Sequence, residues 1–460
     1  MRKLICIFLC FFPFITSAQN LKRKGALGVG IYENVPDSLA PKLNLPDKNG
    51  ALIMSIFPNT TAEMLKIQPN DFITNVNDKK INSRVDLILM ARQFRTDDAL
   101  TITLIRNQKK LTLKGKVIGK PIEKNTDEAE VIYDEFPFEK GLVRAIIKRP
   151  KIKKNAGTVY FLQGISCYSM DNFQPNDPTK NIIDGLVKNG FTVFRVEKSG
   201  IGDNINTTPC EETGFHQEVS LYREGYKKLL TYKDIDKNNI FLFGHSLGGI
   251  AAPILAQEFR PKGVMVYGTG FKPWHDYLLD VYKIQNQMFG ADLAQLEDSL
   301  TMMKPTMMEL FYNKKSAKEL AQNPKHLTAL KNILLYDKKT GLCIAGRTPQ
   351  FHVEINENNV AKAWKNTKSY VLAVYGEADL AAINADGHKE LVDYVNKYRP
   401  NTATFLFIPR TNHSIQEIGT MNDYIVMQVN PKAYEKHAAE NFNWKAIDQM
   451  AEWAKDKLNK

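Results

Sequence analysis

The 460-residue sequence has few cysteines and lacks any run of 18 or more apolar residues. The absence of such a run excludes a multi-span membrane protein, and we predict no transmembrane segment. Lys and Arg number 62 against 50 Asp and Glu, but no basic block is interleaved with aromatic residues. A nucleic-acid surface combines both kinds of residue, so we predict no nucleic-acid partner. The length suggests two or three domains of ordinary globular composition.

The first 18 residues have the pattern of a signal peptide. Arg2 and Lys3 precede an apolar run at 4–15, and small residues follow up to Ala18. A basic start, a short apolar core and a small-residue exit are typical of a cleaved export signal. The alternative is an uncleaved anchor. Cys10 is not preceded by the small residues of a lipoprotein signal. We therefore expect a periplasmic or secreted protein, cleaved near Ala18.

Residues 21–120 are predicted to form a first domain of short strands and turns. Two short helices are predicted among the strands, at 61–65 and about 85–94. The segment holds 17 Lys and Arg against nine Asp and Glu, so most of the excess positive charge of the chain lies here. With the turn IQPNDFITNVNDKKI between a strand and a helix, the segment resembles a PDZ domain of the permuted bacterial kind.

This resemblance implies a binding site for an extended peptide. PDZ domains add a peptide strand to their sheet and hold its terminal carboxylate on backbone N–H groups. By resemblance, Leu27, Gly28, Val29 and Gly30 would form that carboxylate loop. The alternative is a groove that packs against the neighbouring domain and binds no free ligand. The net positive charge weakly favours an acidic peptide.

From about residue 141 to 460, short apolar strands alternate with helical stretches. The alternation predicts an α/β fold with a mostly parallel sheet that is covered on both faces by helices. The acidic segment 121–140 is interpreted as a linker together with the first strand of this domain. Because ligands bind at the carboxyl ends of the strands in such sheets, we expect the functional site at that edge.

The motif Gly-His-Ser246-Leu247-Gly lies between a predicted strand and a predicted helix. G-x-S-x-G in this context is a nucleophile elbow, whose strained turn projects the serine above the sheet. The helix N-terminus offers the N–H of Leu247 to a developing oxyanion. On these residues the domain resembles the α/β-hydrolase superfamily, of the serine esterase or serine aminopeptidase-like kind.

The order Ser, acid, His in this superfamily implies two further catalytic residues. Asp379 follows a predicted strand and matches the acid position, with Glu377 and Asp386 as competing acids. His413 follows the last predicted strand. A neutral histidine accepts the serine proton, and the carboxylate fixes the tautomer of the ring.

The resemblance also implies a second oxyanion donor, which we place at the backbone N–H of Ile165, after the predicted strand 158–163. The next loop is similar to the D-x-x-G-x-G-x-S turn of the superfamily and continues to Cys210. In this topology the two loops emerge on the same side of adjacent strands. We therefore predict a disulfide between Cys167 and Cys210; the alternative is two buried thiols.

A long insertion at about 271–368 is predicted to form a helical lid. Its methionines at 302, 303, 307 and 308 either pack within the lid or contact an apolar acyl chain, and we favour packing. No spacing of Cys, His and acidic residues resembles a metal site, so neither a metal nor a cofactor is predicted.

Together these features predict an exported serine hydrolase that cleaves carboxylic esters through an acyl-enzyme, with a PDZ-like module for peptides or partners. The preference for small-molecule esters rests on analogy within the fold. One alternative is a serine aminopeptidase-like peptidase, in which Glu354 and Glu357 would meet a free amine. Another is a non-catalytic peptide-binding protein, against which the complete set Ser246, Asp379 and His413 argues.

Overall fold

The computed structural model describes residues 21–43, 45, 48–151, 156–171 and 173–458. The predicted signal peptide, 1–18, lies outside the described residues. The chain divides into two compact units, the first ending at Lys120 and the second beginning at Pro121. Within the described ranges, no helix is both long and apolar enough to cross a membrane.

The first unit is a small antiparallel sheet with two helices. Its strands pair in the order β1-β2-β3-β5-β6, and β4 pairs with β3. In β5 every second residue from Leu100 to Leu104 is buried, which is the period of a half-buried strand. The elements are β1 (Val29–Ile31), β2 (Ala51–Ile56), α1 (Thr61–Met64), β3 (Phe72–Val76), β4 (Lys79–Lys80), α2 (Arg84–Ala91), β5 (Ala99–Arg106) and β6 (Lys109–Lys116).

The second unit contains an eight-stranded sheet in the order β14-β13-β12-β11-β9-β10-β8-β7. The hairpin of β7 and β8 is antiparallel and joins β10 in the same sense, whereas the other neighbours are parallel. The strands are β7 (Ala129–Phe138), β8 (Gly141–Pro150), β9 (Thr158–Leu162), β10 (Thr192–Val196), β11 (Ile240–His245), β12 (Gly263–Tyr267), β13 (Tyr370–Ala378) and β14 (Ala403–Asn412). Strand β7 is the first strand expected within the segment 121–140, and it occupies half of that segment.

Helices cover both faces of this sheet. Along β11, Ile240 and Leu242 pack into one core, whereas Phe241 and Phe243 pack into the other, because successive side chains of a strand point to opposite faces. The helices are α3 (Pro178–Lys188), α4 (Phe215–Leu229), α5 (Gly248–Phe259), α6 (Trp274–Met288), α7 (Leu293–Phe311), α8 (Ala317–Leu320), α9 (Pro324–Leu334), α10 (Pro349–Glu357), α11 (Val360–Asn366), α12 (Asp386–Tyr398), α13 (Met421–Met427), α14 (Pro431–Glu440) and α15 (Trp444–Leu458).

The insertion predicted as a lid contains α6 to α11 and has a hydrophobic core of its own. Met303 and Met307 are buried in that core, as the packing interpretation expects, whereas Met302 and Met308 are exposed. Helix α6 also reaches the loop after β13, where Tyr277 donates a hydrogen bond to the carbonyl of Ala381 (2.7 Å). The insertion is therefore a packed helical layer.

Candidate active site

The predicted catalytic residues all lie directly after strands of the parallel sheet. Ser246 follows β11, Asp379 follows β13 and His413 follows β14. The carboxyl ends of parallel strands meet at one edge of a sheet, and the topology therefore brings these three residues to the same edge.

Ser246 lies in a strained turn between β11 and α5. Its φ is 55°, in the left-handed region that serine rarely adopts, and its N–H donates to the carbonyl of Tyr267 (2.9 Å). A Cβ on Gly244 would lie 2.5 Å from the carbonyl oxygen of Gly248, and a Cβ on Gly248 would overlap the carbonyl of Leu162. Glycine at both positions is what lets the elbow form.

The carboxylate of Asp379 is fully buried and binds the imidazole of His413. Nδ1 of His413 lies 2.8 and 2.9 Å from its two oxygens, and the N–H of Ala382 donates to Oδ1 (2.9 Å). Burial alone would raise the pKa of Asp379, but the charge and hydrogen bond of His413 lower it below its usual value. Burial alone would lower the pKa of His413. The charge and hydrogen bond of Asp379 outweigh burial, so the pKa of His413 is raised above its usual value.

The two competing acids have other surroundings. Glu377 accepts a hydrogen bond from the backbone N–H of Arg410 (2.7 Å). Asp386 is exposed at the start of α12, where its N–H donates to the side chain of Asn384 (3.0 Å). The carboxylate that the structure brings to His413 is therefore that of Asp379.

His245, the residue before Ser246, anchors the backbone of His413. Its Nε2 lies 2.8 Å from the carbonyl oxygen of His413 and must carry the proton, because a carbonyl only accepts. Burial and, to a smaller extent, the charge of nearby His413 lower the pKa of His245 to about 4. A neutral His245 thus links the turn of Ser246 to the backbone of His413.

The loop after β9 lies against Ser246. A Cβ on Gly164 would be 3.3 Å from the Cβ of Ser246. Ile165 follows, and the structure joins Cys167 to Cys210 by a disulfide with a Cα–Cα distance of 5.9 Å. Cys343 has a buried free thiol, and burial raises its pKa to about 12. Ile165 and the disulfide therefore belong to the wall beside Ser246.

Family comparison adds to this geometry. Residues 177–416 match the family model described as serine aminopeptidase, S33, and residues 25–117 match that of the PDZ domain. The chain belongs to the serine aminopeptidase S33 family. The predictions of an α/β-hydrolase fold and of an N-terminal PDZ domain are confirmed.

The chain is also similar to individual proteins, at low sequence identity. Esterase EstD of Thermotoga maritima is 25% identical over 200 residues, 42% of this chain and 47% of the esterase, so the chain spans about half the length of that relative. A solved proline iminopeptidase of Mycobacterium smegmatis is 13% identical, covering 70% of this chain and 99% of its own (TM-score 0.41). A soluble variant of monoglyceride lipase from Saccharomyces cerevisiae is 15% identical, covering 74% and 99% (TM-score 0.42).

The two acids suggested for an aminopeptidase lie on α10 of this S33-family hydrolase. Glu354 accepts a hydrogen bond from the backbone N–H of His216 (3.0 Å), at the start of α4. Glu357 lies 3.7 Å from the imidazole of His216 and also pairs with Lys314. These contacts assign both acids to the packing of α10 on α4.

The carboxylate loop expected in the PDZ domain leads into edge strand β1. Gly28 has a φ of +75°, and a Cβ there would overlap the side chain of Thr60. The carbonyl of Gly28 accepts a hydrogen bond from the N–H of Phe57 (3.0 Å). The carbonyl of Leu27 accepts a hydrogen bond from the N–H of Ala62 (2.9 Å). Since β1 is the last strand of its sheet, Val29 and Gly30 lie where an added strand would pair.

Three buried charged residues beside the loop after β9 were not among the predicted site residues. They are Lys198, Glu218 and Arg347. The sequence singled out the loop that contains Lys198 for its glycines, Gly200 and Gly202, both of which have positive φ. Among the described residues, no group of three or more Cys, His, Asp and Glu side chains could hold a metal ion.

Proposed function

We propose that this hydrolase is an exported serine esterase that works through Ser246, His413 and Asp379. The observation that carries the proposal is the pair formed by His413 and buried Asp379, at the same sheet edge as a strained elbow serine. The Asp379 carboxylate accepts from Nδ1–H of His413, which leaves Nε2 as the base.

The reaction follows from these positions. Ser246 Oγ attacks the ester carbonyl while Nε2 of His413 takes its proton, and the N–H groups of Leu247 and Ile165 bind the oxyanion. The imidazolium then protonates the leaving alcohol, and the acyl group remains on Ser246. Water, deprotonated by His413, releases the acid and restores the enzyme.

An ester is the substrate that the curated relative supports, since that protein is named an esterase. The family description supports the second candidate, a serine aminopeptidase. The two differ in the bond that is cleaved, and both use the same nucleophile. Two observations support export. One is the signal-peptide pattern of the first 18 residues, and the other is the disulfide of Cys167 and Cys210, because disulfides persist in oxidising compartments.

The test compares protein lacking residues 1–18 with its Ser246→Ala variant on p-nitrophenyl acetate, butyrate and octanoate. We expect Ser246→Ala to lower kcat by about 10⁴-fold or more. Ser369→Ala is the control, because it removes a serine hydroxyl elsewhere in the same unit, at the amino end of β13. Equal slow turnover by wild type and Ser246→Ala would contradict the esterase, and turnover of aminoacyl p-nitroanilides alone would establish the peptidase.

The PDZ domain is proposed to bind a peptide with a free carboxylate. The support is the family match, the edge position of β1 and the excess of Lys and Arg in residues 21–120. Helix α2 exposes Val85 and Leu89, which offer apolar surface to a side chain of such a peptide.

A further inference from the structure

Lys198, Glu218 and Arg347 form a fully buried cluster of three charges. Their exposed fractions are 1%, 3% and 0%. Nζ of Lys198 lies 2.9 Å from the carboxylate of Glu218, and the guanidinium of Arg347 pairs with the same carboxylate. A buried charge is costly unless it is paired and hydrogen-bonded. The cluster retains one unit of positive charge that Glu218 does not neutralise.

Both cations also donate to backbone carbonyls, three of these four hydrogen bonds being to the loop beside Ser246. Lys198 donates to the carbonyl oxygens of Gly164 (2.5 Å) and Ile165 (3.3 Å). Arg347 donates through Nε to the carbonyl of Ile165 (3.0 Å) and through Nη1 to that of Cys210. The excess positive charge is therefore applied to two successive peptide groups of this loop.

Because the peptide group is planar, the orientation of the Gly164 carbonyl also fixes the orientation of the Ile165 N–H. The carbonyl of Gly164 and the N–H of Ile165 belong to one trans peptide group and point in opposite directions. With the carbonyl directed at Lys198, the N–H is directed away from it. Gly164 itself lies beside Ser246, since a Cβ built on it would be 3.3 Å from the Cβ of Ser246.

We infer that Lys198 and Arg347, paired through Glu218, are positioning residues that orient the Gly164–Ile165 peptide so that its N–H binds the oxyanion. The inference rests on the proposed function, in which Ile165 is an oxyanion donor. It goes beyond that function because it assigns roles to three residues that touch no reacting atom.

The cluster acts on the oxyanion in two ways. A cation on the carbonyl polarises the amide, which strengthens its N–H as a donor. The uncompensated positive charge also stabilises negative charge that develops nearby in a site shielded from water. Because Arg347 belongs to the insertion at 271–368, this part of the insertion is a fixed component of the oxyanion wall.

The charge of Lys198 depends on pH, so the inference can be tested by measuring kcat as a function of pH. Burial, opposed by Glu218 and assisted by Arg347, lowers the pKa of Lys198 to about 8. The charged groups that face it are Glu218 of α4 and Arg347 of the insertion, while Tyr222 of α4 stays neutral because burial raises its pKa. Lys198 is thus charged below about pH 8, and kcat should fall above that pH.

The experiment compares Lys198→Met and Lys198→Arg with wild type on p-nitrophenyl butyrate. Lys198→Met leaves Glu218 paired with Arg347, so no charge is stranded. The matched control is Lys148→Met, which removes another buried lysine and leaves its partners Glu123 and Asp184 paired with Arg195 and Lys180. Melting curves check that each variant is folded.

We expect Lys198→Met to lower kcat by about 10- to 100-fold, somewhat less than the loss of an oxyanion donor itself, with KM changed less than about threefold. Lys198→Arg should restore most of kcat and abolish the decline above pH 8, since a guanidinium stays charged. In hydrogen exchange, amides of residues 164–170 should exchange about tenfold faster in Lys198→Met than in Lys148→Met.

The outcomes separate the inference from the proposed function. If Ser246→Ala is inactive but Lys198→Met behaves like Lys148→Met, the inference is overturned and the esterase stands. If wild type hydrolyses neither esters nor aminoacyl anilides, the proposed function fails and the oxyanion role fails with it. Unchanged exchange at residues 164–170 would overturn the positioning role whatever the activity.

Discussion

Nδ1 of His413 lies within 2.9 Å of both carboxylate oxygens of Asp379, and that carboxylate has no exposure to solvent. An ionised carboxylate only accepts hydrogen bonds, so Nδ1 carries the proton of the neutral ring. The contact therefore sets the tautomer and leaves Nε2 of the neutral ring able to accept a proton. Gly268 makes room for it, because a Cβ there would lie 2.5 Å from Asp379 Oδ2 and 2.7 Å from His413 Nδ1.

The first prediction concerns this contact. Asp379→Asn should lower kcat by about 10³- to 10⁴-fold, because an amide N–H₂ directed at Nδ1 selects the wrong tautomer. Glu377→Gln, two residues away, should change kcat less than about threefold, since Glu377 accepts from Arg410 instead. Both are measured by steady-state kinetics on p-nitrophenyl butyrate. A larger loss for Glu377→Gln than for Asp379→Asn would show that the acid had been misassigned.

The second prediction concerns the acid side of the pH profile. His413 must be neutral to accept the serine proton, so kcat/KM should rise with pH through the pKa of His413. Burial lowers that pKa, but the charge and hydrogen bond of Asp379 raise it above its ordinary value of 6.5. We expect the midpoint in wild type above 6.5.

In Asp379→Asn this midpoint should move to lower pH, because burial then acts without the carboxylate. The comparison is made on the residual activity of that variant, from pH 4.5 to 8. If the midpoint is the same in both proteins, the rise of kcat/KM with pH reports the titration of a group other than His413.

The third prediction concerns the disulfide of Cys167 and Cys210. The two cysteines are 43 residues apart in the sequence, and the disulfide closes the loop between them. Its loss should lower the free energy of unfolding by about 2–4 kcal/mol. Urea unfolding with and without a phosphine reductant measures this. The double variant Cys167→Ser with Cys210→Ser should be less stable and insensitive to the reductant.

Cys343→Ser is the control for this measurement. Cys343 is a buried free thiol, so the variant should respond to the reductant as wild type does. If the reductant leaves the urea midpoint of wild type unchanged, the bond does not contribute to stability in solution. A matching fall in kcat on reduction would show that the bond also holds the loop beside Ser246.

How far the sequence predicts this site depends on how local each signal is. The elbow around Ser246 is specified by five adjacent residues, and Asp379 and His413 each follow an apolar strand. The order of the strands then brings them together. Such signals can be read without knowing any contact, because strand ends of a parallel sheet share one edge.

The cluster of Lys198, Glu218 and Arg347 had no such signal. Glu218 and Arg347 are 129 residues apart, and lysine, glutamate and arginine are ordinarily exposed. Only the tertiary structure shows that they are buried together. The structure likewise sets the bounds of β7 within the acidic segment 121–140, where Asp134 pairs with Lys228 of α4.

The last prediction concerns the PDZ domain. In Gly28→Ala, the new Cβ would overlap Thr60 at a backbone φ of +75°, so the loop must distort. We expect a fluorescent acidic peptide with a free C-terminal carboxylate to bind this variant at least about tenfold more weakly, a loss of 1.4 kcal/mol or more. Gly290→Ala is the control: its φ is +90° but nothing lies within 4 Å of the added Cβ.

The same peptide with an amidated C-terminus distinguishes carboxylate capture from general attraction to the basic domain. The amide should bind wild type about tenfold more weakly than the acid, because backbone N–H groups of the loop 27–30 would lose a charged acceptor. Equal binding of acid and amide would argue against a carboxylate site. Turnover of p-nitrophenyl butyrate by Gly28→Ala should equal that of wild type, because none of the residues assigned to catalysis lies in the PDZ domain. If turnover falls together with peptide affinity, the PDZ domain also stabilises the catalytic unit and does more than bind peptides.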